Sequence, residues 1–213
     1  MKRLMVGTLV AAAILGGCAL EASPSAPGNE ATGSPNATVA GSAPASAKPV
    51  ATPTSKFRTF SDGKAVVGTD IQAGTYRTRT ASSGCYWERL SGFGGTMGEI
   101  LANENTDGPA VVTIAASDKG FSSHRCGTWT TDLSAIVSGN TFPDGTYIVG
   151  TDLTAGTYRA PASPGCYWQR LKGFSGSMSD IIANENTDTG GIVTIAASDK
   201  GFQSSRCGTW TRQ

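Results

Sequence analysis

Few side chains in this sequence can do acid, base or nucleophilic chemistry. The 213 residues hold one histidine, His124, and five cysteines: Cys18, Cys85, Cys126, Cys166 and Cys207. An activated nucleophile needs a base within hydrogen-bond reach, so any triad would have to be built around His124. The matching position in the second half of the chain is Ser205. Cys126, two residues further on, is expected in a disulfide, where it is no nucleophile. His124 therefore reads as a surface histidine. Paired carboxylates are the other hydrolytic route. Glu99, Glu104, Asp107 and Asp118 recur as Asp180, Glu185, Asp188 and Asp199, but spacing alone places no two of them across a scissile bond. The expectation is a protein that is not an enzyme, with an exported hydrolase as the weakest alternative.

Two other patterns point to binding. Asn103, Asn105 and Asp107, followed by Gly108, set oxygen ligands at alternate positions as a calcium loop does; Asn184, Asn186 and Asp188 repeat them. An EF-hand requires Glu at the twelfth position, where Ile114 stands, and Thr189 replaces the glycine in the second copy. Asx-rich turns between strands usually bond their own backbone, so a turn is the stronger expectation and calcium the weaker. No other cofactor is implied. Tyr86-Trp87 and Tyr167-Trp168 are adjacent, and a strand would send one ring to each face. Trp129 and Trp210 follow Cys126 and Cys207 by three positions. Tyr86, Trp129, Tyr167 and Trp210 are thus candidates for stacking on a sugar ring, with Arg89 and Arg170 offering directed hydrogen bonds. The competing reading, favoured for the tryptophans, packs them in the core against disulfides.

The elements that position these residues are written twice. Residues 60–130 align with 142–211, and GCYWERLSGF, ANENTD, VTIAASDKGF and RCGTWT return as GCYWQRLKGF, ANENTD, VTIAASDKGF and RCGTWT. A unit of this size suits a small domain better than a solenoid repeat. Setting Cys18 aside, each unit holds two equally spaced cysteines. Only the pairings Cys85–Cys126 and Cys166–Cys207 let each copy be self-contained, and two lone cysteines without a spaced histidine make no zinc site. Closing a loop of this length contributes up to about 4 kcal/mol in the chain-entropy model. VVGTDIQAGTYRTRT, CYWERL and VVTIAAS read as short strands separated by glycine turns, and MGEILANEN as a turn or one-turn helix. The fold class expected is all-β: two tandem small β-sandwich or barrel-like domains, over residues 56–131 and 132–213. Residues 131–141, with Leu133, Ile136 and Val137, are expected to be packed, in a strand. With 28 Gly and 15% charged residues, the chain is no coiled coil, and a net charge of +1 offers no electrostatic basis for nucleic-acid binding.

The N-terminus supplies the location. Lys2 and Arg3 precede a short apolar run, residues 4–15, which ends in Leu15-Gly16-Gly17-Cys18. This resembles the lipobox of bacterial lipoproteins, and the resemblance implies a signal peptide over 1–17 and acylation of Cys18, with the membrane as partner through the lipid. Two or more acyl chains hold a protein stably where one is marginal. Residues 18–55 follow as the lipidated cysteine and an Ala/Ser/Pro/Thr-rich stretch with too little apolar surface to fold. Its expected coil dimension is roughly 30 Å. The pattern VGTDIxAGTYR…GCYWxRLxGF…IxANENTD…VTIAxSDKGFxSxxCGTWT is similar to a domain of secreted proteins and lipoproteins of actinobacteria, a family with no assigned activity. The functional expectation is a lipid-anchored extracytoplasmic protein whose modules bind a cell-envelope glycan or protein. The alternative is a spacer lipoprotein without a specific ligand.

Overall fold

The computed structural model describes residues 56–80, 83–137 and 139–213. The expected signal peptide, Cys18 and the linker lie outside the described residues. Among the described residues no helix is long and apolar enough to cross a membrane.

The first repeat consists of β1 (Thr59–Val66), β2 (Gly74–Thr78), β3 (Cys85–Leu90), β4 (Ile100–Thr106), β5 (Val111–Ile114) and β6 (Gly120–Thr130). The strands are antiparallel in the order β4-β3-β6-β2-β5, with β1 also on β6. The eleven-residue β6 joins two halves of this one six-stranded sheet: Gly120 to His124 pair with β3, whereas Trp129 and Thr130 pair with β2. The bend between those halves has a local cause. Arg125 adopts φ 58° and Gly127 φ 79°, and the Asp62 carboxylate accepts the backbone N–H groups of Cys126 and Gly127. A left-handed residue inserted in a strand raises its twist and turns the residues beyond it in a new direction. β1 shifts register at the facing position, between Ser61 and Gly63.

In the second repeat the same bend divides the strands outright. Its elements are β7 (Thr141–Phe142), β8 (Gly145–Ile148), β9 (Gly156–Arg159), β10 (Cys166–Leu171), β11 (Ile181–Thr187), β12 (Ile192–Ile195), β13 (Gly201–Ser205) and β14 (Trp210–Arg212). They form two sheets, β11-β10-β13-β8 and β12-β9-β14-β7. Arg206 repeats the φ of 58°, and Asp144 repeats the role of Asp62 on Cys207 and Gly208. The expected all-β class with a sandwich in each repeat is thus observed.

Alternation along the strands sends one face into each core. Tyr76, Trp87, Phe121 and Trp129 fill the first, and Tyr147, Tyr158, Phe202 and Trp210 the second. Cys85–Cys126 and Cys166–Cys207 are bonded as expected, each across 41 positions. Each bridge ties β3 or β10 to the bend of its own repeat.

Two local expectations are corrected. The ANENTD segments are not turns: residues 100–106 and 181–187 are the strands β4 and β11, after single 3-10 turns at Met97–Glu99 and Met178–Asp180. Register with the neighbouring CYWERL and CYWQRL strands overrides the turn propensity of the asparagines. Residues 131–141 are packed as expected, with Ile136 and Val137 against the second core, but apart from Thr141 they form no strand among the described residues.

The two repeats lie within one compact unit. Arg77 of the first repeat and Asp152 of the second form an ion pair at 2.9 Å with both side chains fully buried. Asp152 also accepts the N–H groups of Ile136 and Ile148, and Arg77 donates to the carbonyls of Leu133 and Ser134. Thr113 N donates to Phe174 O and Thr146 N to Pro109 O, each at 2.7 Å. Gly108 lies so close to the second repeat that a Cβ there would stand 2.0 Å from Asp144 O.

Candidate functional site

Cross-strand pairing sets Trp87 opposite Glu104, so both side chains leave the β3–β4 ladder on one face. Trp87 stacks on Phe121 in the core at 6.2 Å, while Glu104, on the outermost strand, reaches the mouth of the sandwich. The second repeat covers that mouth with the outward face of β8, β10 and β13. There Gln169 faces Gln203 across one ladder and Gln203 faces Thr146 across the next. Gln169 Nε2 donates to Gln203 Oε1, and Gln203 Nε2 donates to Glu104 Oε1. Thr146 Oγ1 adds a longer contact to the same carboxylate oxygen, 3.4 Å.

Between these groups lies a cavity of about 100 Å³ whose lining includes Trp87, Glu104, Val111, Phe174 and Gln203. Two features set it apart. Burial pushes the Glu104 carboxyl up to about 7, against the opposing hydrogen bonds from Thr146, Trp87 and Gln203. The indole N–H of Trp87, a residue 1% exposed, has no partner in hydrogen-bond geometry. It lies close enough to Glu104 to favour the charged carboxylate, but outside hydrogen-bond geometry with it. An unmet buried donor costs about 1–3 kcal/mol, so it marks a place where a ligand acceptor would be favoured.

The counterpart in the second repeat shows what the covering does. Trp168 Nε1 donates to Glu185 at 3.2 Å, and Glu185 is exposed. The Trp–Glu pair is hydrogen-bonded with an exposed carboxylate in the second repeat; in the first the carboxylate is half-buried and the indole donor unmet.

The residues singled out from the sequence sit elsewhere or serve the frame. Trp129 and Trp210 are 0% exposed and donate to Ser123 and Ser204 Oγ at 3.0 Å, so neither ring is available to a sugar. Arg89 makes a two-point ion pair with Asp118 and donates to Ser175 O across the seam between repeats. Arg170 pairs with Asp199 in the same way. Tyr86 and Tyr167 are half-buried; their hydroxyls donate to Glu88 and Gln169 and accept from Asn103 and Asn184. Burial raises the Tyr86 pKa.

Asn103 and Asn105 lie on β4, and Asn184 and Asn186 on β11. Asp107 accepts from Ser83 and Gly84, and Asp188 from Gly165. His124 is exposed on β6. Among the described residues, no group of three His, Cys, Asp or Glu side chains is placed to hold a metal.

Sequence reading missed Trp87, Glu104, Thr146, Gln169 and Gln203 as a group. The available signal was divergence between the duplicates: Lys64, Glu88 and Ser122 of the first repeat become Thr146, Gln169 and Gln203 in the second. Charged or small residues have become neutral amides and a hydroxyl at the positions that receive Glu104.

Among known families, the Rv1352-like extracellular domain matches the chain twice, over residues 58–130 and 139–211. No curated protein and no solved structure matches it. The two matched stretches, which together exceed half of the chain, are the two sandwiches described above, and their disulfides suit an oxidising, extracytoplasmic setting. The chain belongs to the Rv1352-like extracellular domain family and carries that domain as a tandem pair.

Proposed function

We propose that this is a non-catalytic, lipid-anchored extracytoplasmic protein that binds a cell-envelope glycan in the cleft between its repeats. The observation that carries the reading is the unpartnered Trp87 N–H beside Glu104 in the cavity between the repeats. Whole small-molecule ligands occupy pockets of roughly 300–1,000 Å³. A cavity of about 100 Å³ accommodates one substituent of a larger ligand, such as a hydroxymethyl or acetamido group. An acetamido carbonyl would accept from Trp87, and its N–H or a sugar hydroxyl would donate to Glu104, with Val111 and Phe174 as apolar walls.

The carboxylates of the cleft support binding over hydrolysis. Asp180, the other acid lining it, already accepts Ser175 N and Oγ at 2.7 Å. The lipid on Cys18 rests on the Leu15-Gly16-Gly17-Cys18 pattern and would hold the module outside the membrane. Because the cleft is shared by both repeats, the tandem acts as one binding unit.

The test is co-sedimentation of the full-length protein with purified wall polysaccharide. Trp87→Phe keeps the ring and removes the donor, and should weaken binding about tenfold, the value of one directed hydrogen bond. Tyr86→Ala with Tyr167→Ala should leave binding in place. No binding at millimolar glycan, or binding indifferent to Trp87→Phe, would overturn the reading and favour a spacer.

A further inference from the structure

We propose that copies of this chain associate head to tail, the uncovered mouth of the second repeat in one copy receiving the outward face of the first repeat in another. The seam inside the chain joins two different surfaces. Arg77, Glu104 and Val111 form the mouth of the first repeat, and Thr146, Asp152 and Phe174 belong to the outward face of the second. Since the repeats are duplicates, every chain carries a second copy of each surface, uncovered among the described residues. The second repeat presents Arg159, Glu185 and Ile192 where the first presents Arg77, Glu104 and Val111. The first presents Lys64, Asp70 and Phe93 where the second presents Thr146, Asp152 and Phe174.

The unused surfaces remain complementary in charge. Arg159 is exposed and in no ion pair among the described residues, and Asp70 is exposed, whereas their counterparts Arg77 and Asp152 meet at 2.9 Å. Lys64 and Glu185 are both exposed and of opposite sign, at the positions where Thr146 touches Glu104 inside the chain.

Apolar and main-chain groups agree with the charges. Ile192 is 60% exposed and Phe93 45%, while Val111, at the mouth already covered, is 2%. In the chain's own seam Thr113 N, on the sheet edge, donates to Phe174 O. The matching edge strand β12 offers Thr194 N to a Phe93 carbonyl in the same register. One corner differs: Thr189 stands where Gly108 approaches Asp144, so the contact between copies is looser there than the one within a chain. That difference makes the association reversible. A contact between unlike surfaces leaves a free end on every open assembly, giving filaments unless the rotation closes a ring.

The experiment is sedimentation velocity and lysine-directed cross-linking of the purified full-length chain over a concentration series. The average mass should rise with concentration, and less so in high salt. Lys64→Glu gives two acidic ends and Glu185→Lys two basic ends, so either variant alone should weaken association about tenfold or more. An equimolar mixture of the two should restore it, because each end again meets its opposite. Both side chains are exposed, and circular dichroism with intact disulfides checks that the variants fold. Ile192→Ser, which removes the exposed apolar side chain and adds no charge beside its cross-strand neighbour Arg159, should weaken association about tenfold. A chain that stays monomeric at every concentration, association unaffected by the single variants, or a mixture that fails to restore it would each overturn the proposal.

Discussion

Glu104 ties the cleft to a measurable dependence on pH. Its carboxyl moves from an ordinary value of 4.5 to about 7 because burial disfavours the charge more than its hydrogen bonds favour it. An acid whose pKa is raised on folding holds its proton in the native state after the unfolded chain has released it. Below pH 4.5 both states are protonated and the group contributes no difference. Between 4.5 and about 7 ionisation favours the unfolded chain more and more, and above 7 the loss is complete. Retaining a proton to pH 7 instead of 4.5 corresponds to at most about 3 kcal/mol. For a unit of this size, that is about 6–12 °C in Tm. Urea denaturation with disulfides intact, run from pH 5 to pH 8, reads it directly. Wild-type protein should lose stability across that range. Glu104→Gln keeps an acceptor for Gln203, removes the ionisation, and should be the more stable protein at pH 8. Glu185→Gln, at the exposed counterpart, should follow wild type, and a His124→Gln background removes any contribution from the only histidine. Parallel pH profiles for wild type and Glu104→Gln would refute the argument, because the charge would then have found solvent in the native state.

Two further substitutions test the seam that builds the cleft. Arg77→Met leaves Asp152 buried without its counter-ion and should cost about 3–5 kcal/mol in urea denaturation; adding Asp152→Asn should recover only part, since Asp152 also holds the Ile136 and Ile148 N–H groups. Gly108→Val drives a side chain into the Asp144 carbonyl and should cost about 1–3 kcal/mol, whereas Gly98→Ala, with open space around it, should be nearly neutral in the same assay.

Much of the frame is legible in the residues. The duplicated cysteines and their equal spacing define the bridges, since each copy must close on itself. The β class follows from β-branched runs and glycine turns. The asparagines of ANENTD misled because turn propensity is a local preference, and strand register, imposed by CYWERL and CYWQRL, outweighs it. Arg89 looked like a ligand donor because nothing in a linear chain shows that Asp118 and Ser175 O take up its guanidinium. Asp62 and Asp144 drew no notice, yet they hold the bends that turn β6 within its sheet and part β13 from β14.

The Trp–Glu pair marks the boundary most sharply. Trp87 and Glu104 sit in nearly the same local sequence as Trp168 and Glu185, so composition, periodicity and spacing assign both pairs one character. Their difference arises from what lies above them. A neighbouring repeat half-buries Glu104 and lifts its pKa, while Glu185 faces solvent. Local sequence dictates strands, bridges and duplication because those depend on residues close in the chain or matched in pairs. Solvation at a carboxylate depends on which distant surface covers it, and that becomes known once the two sandwiches are docked.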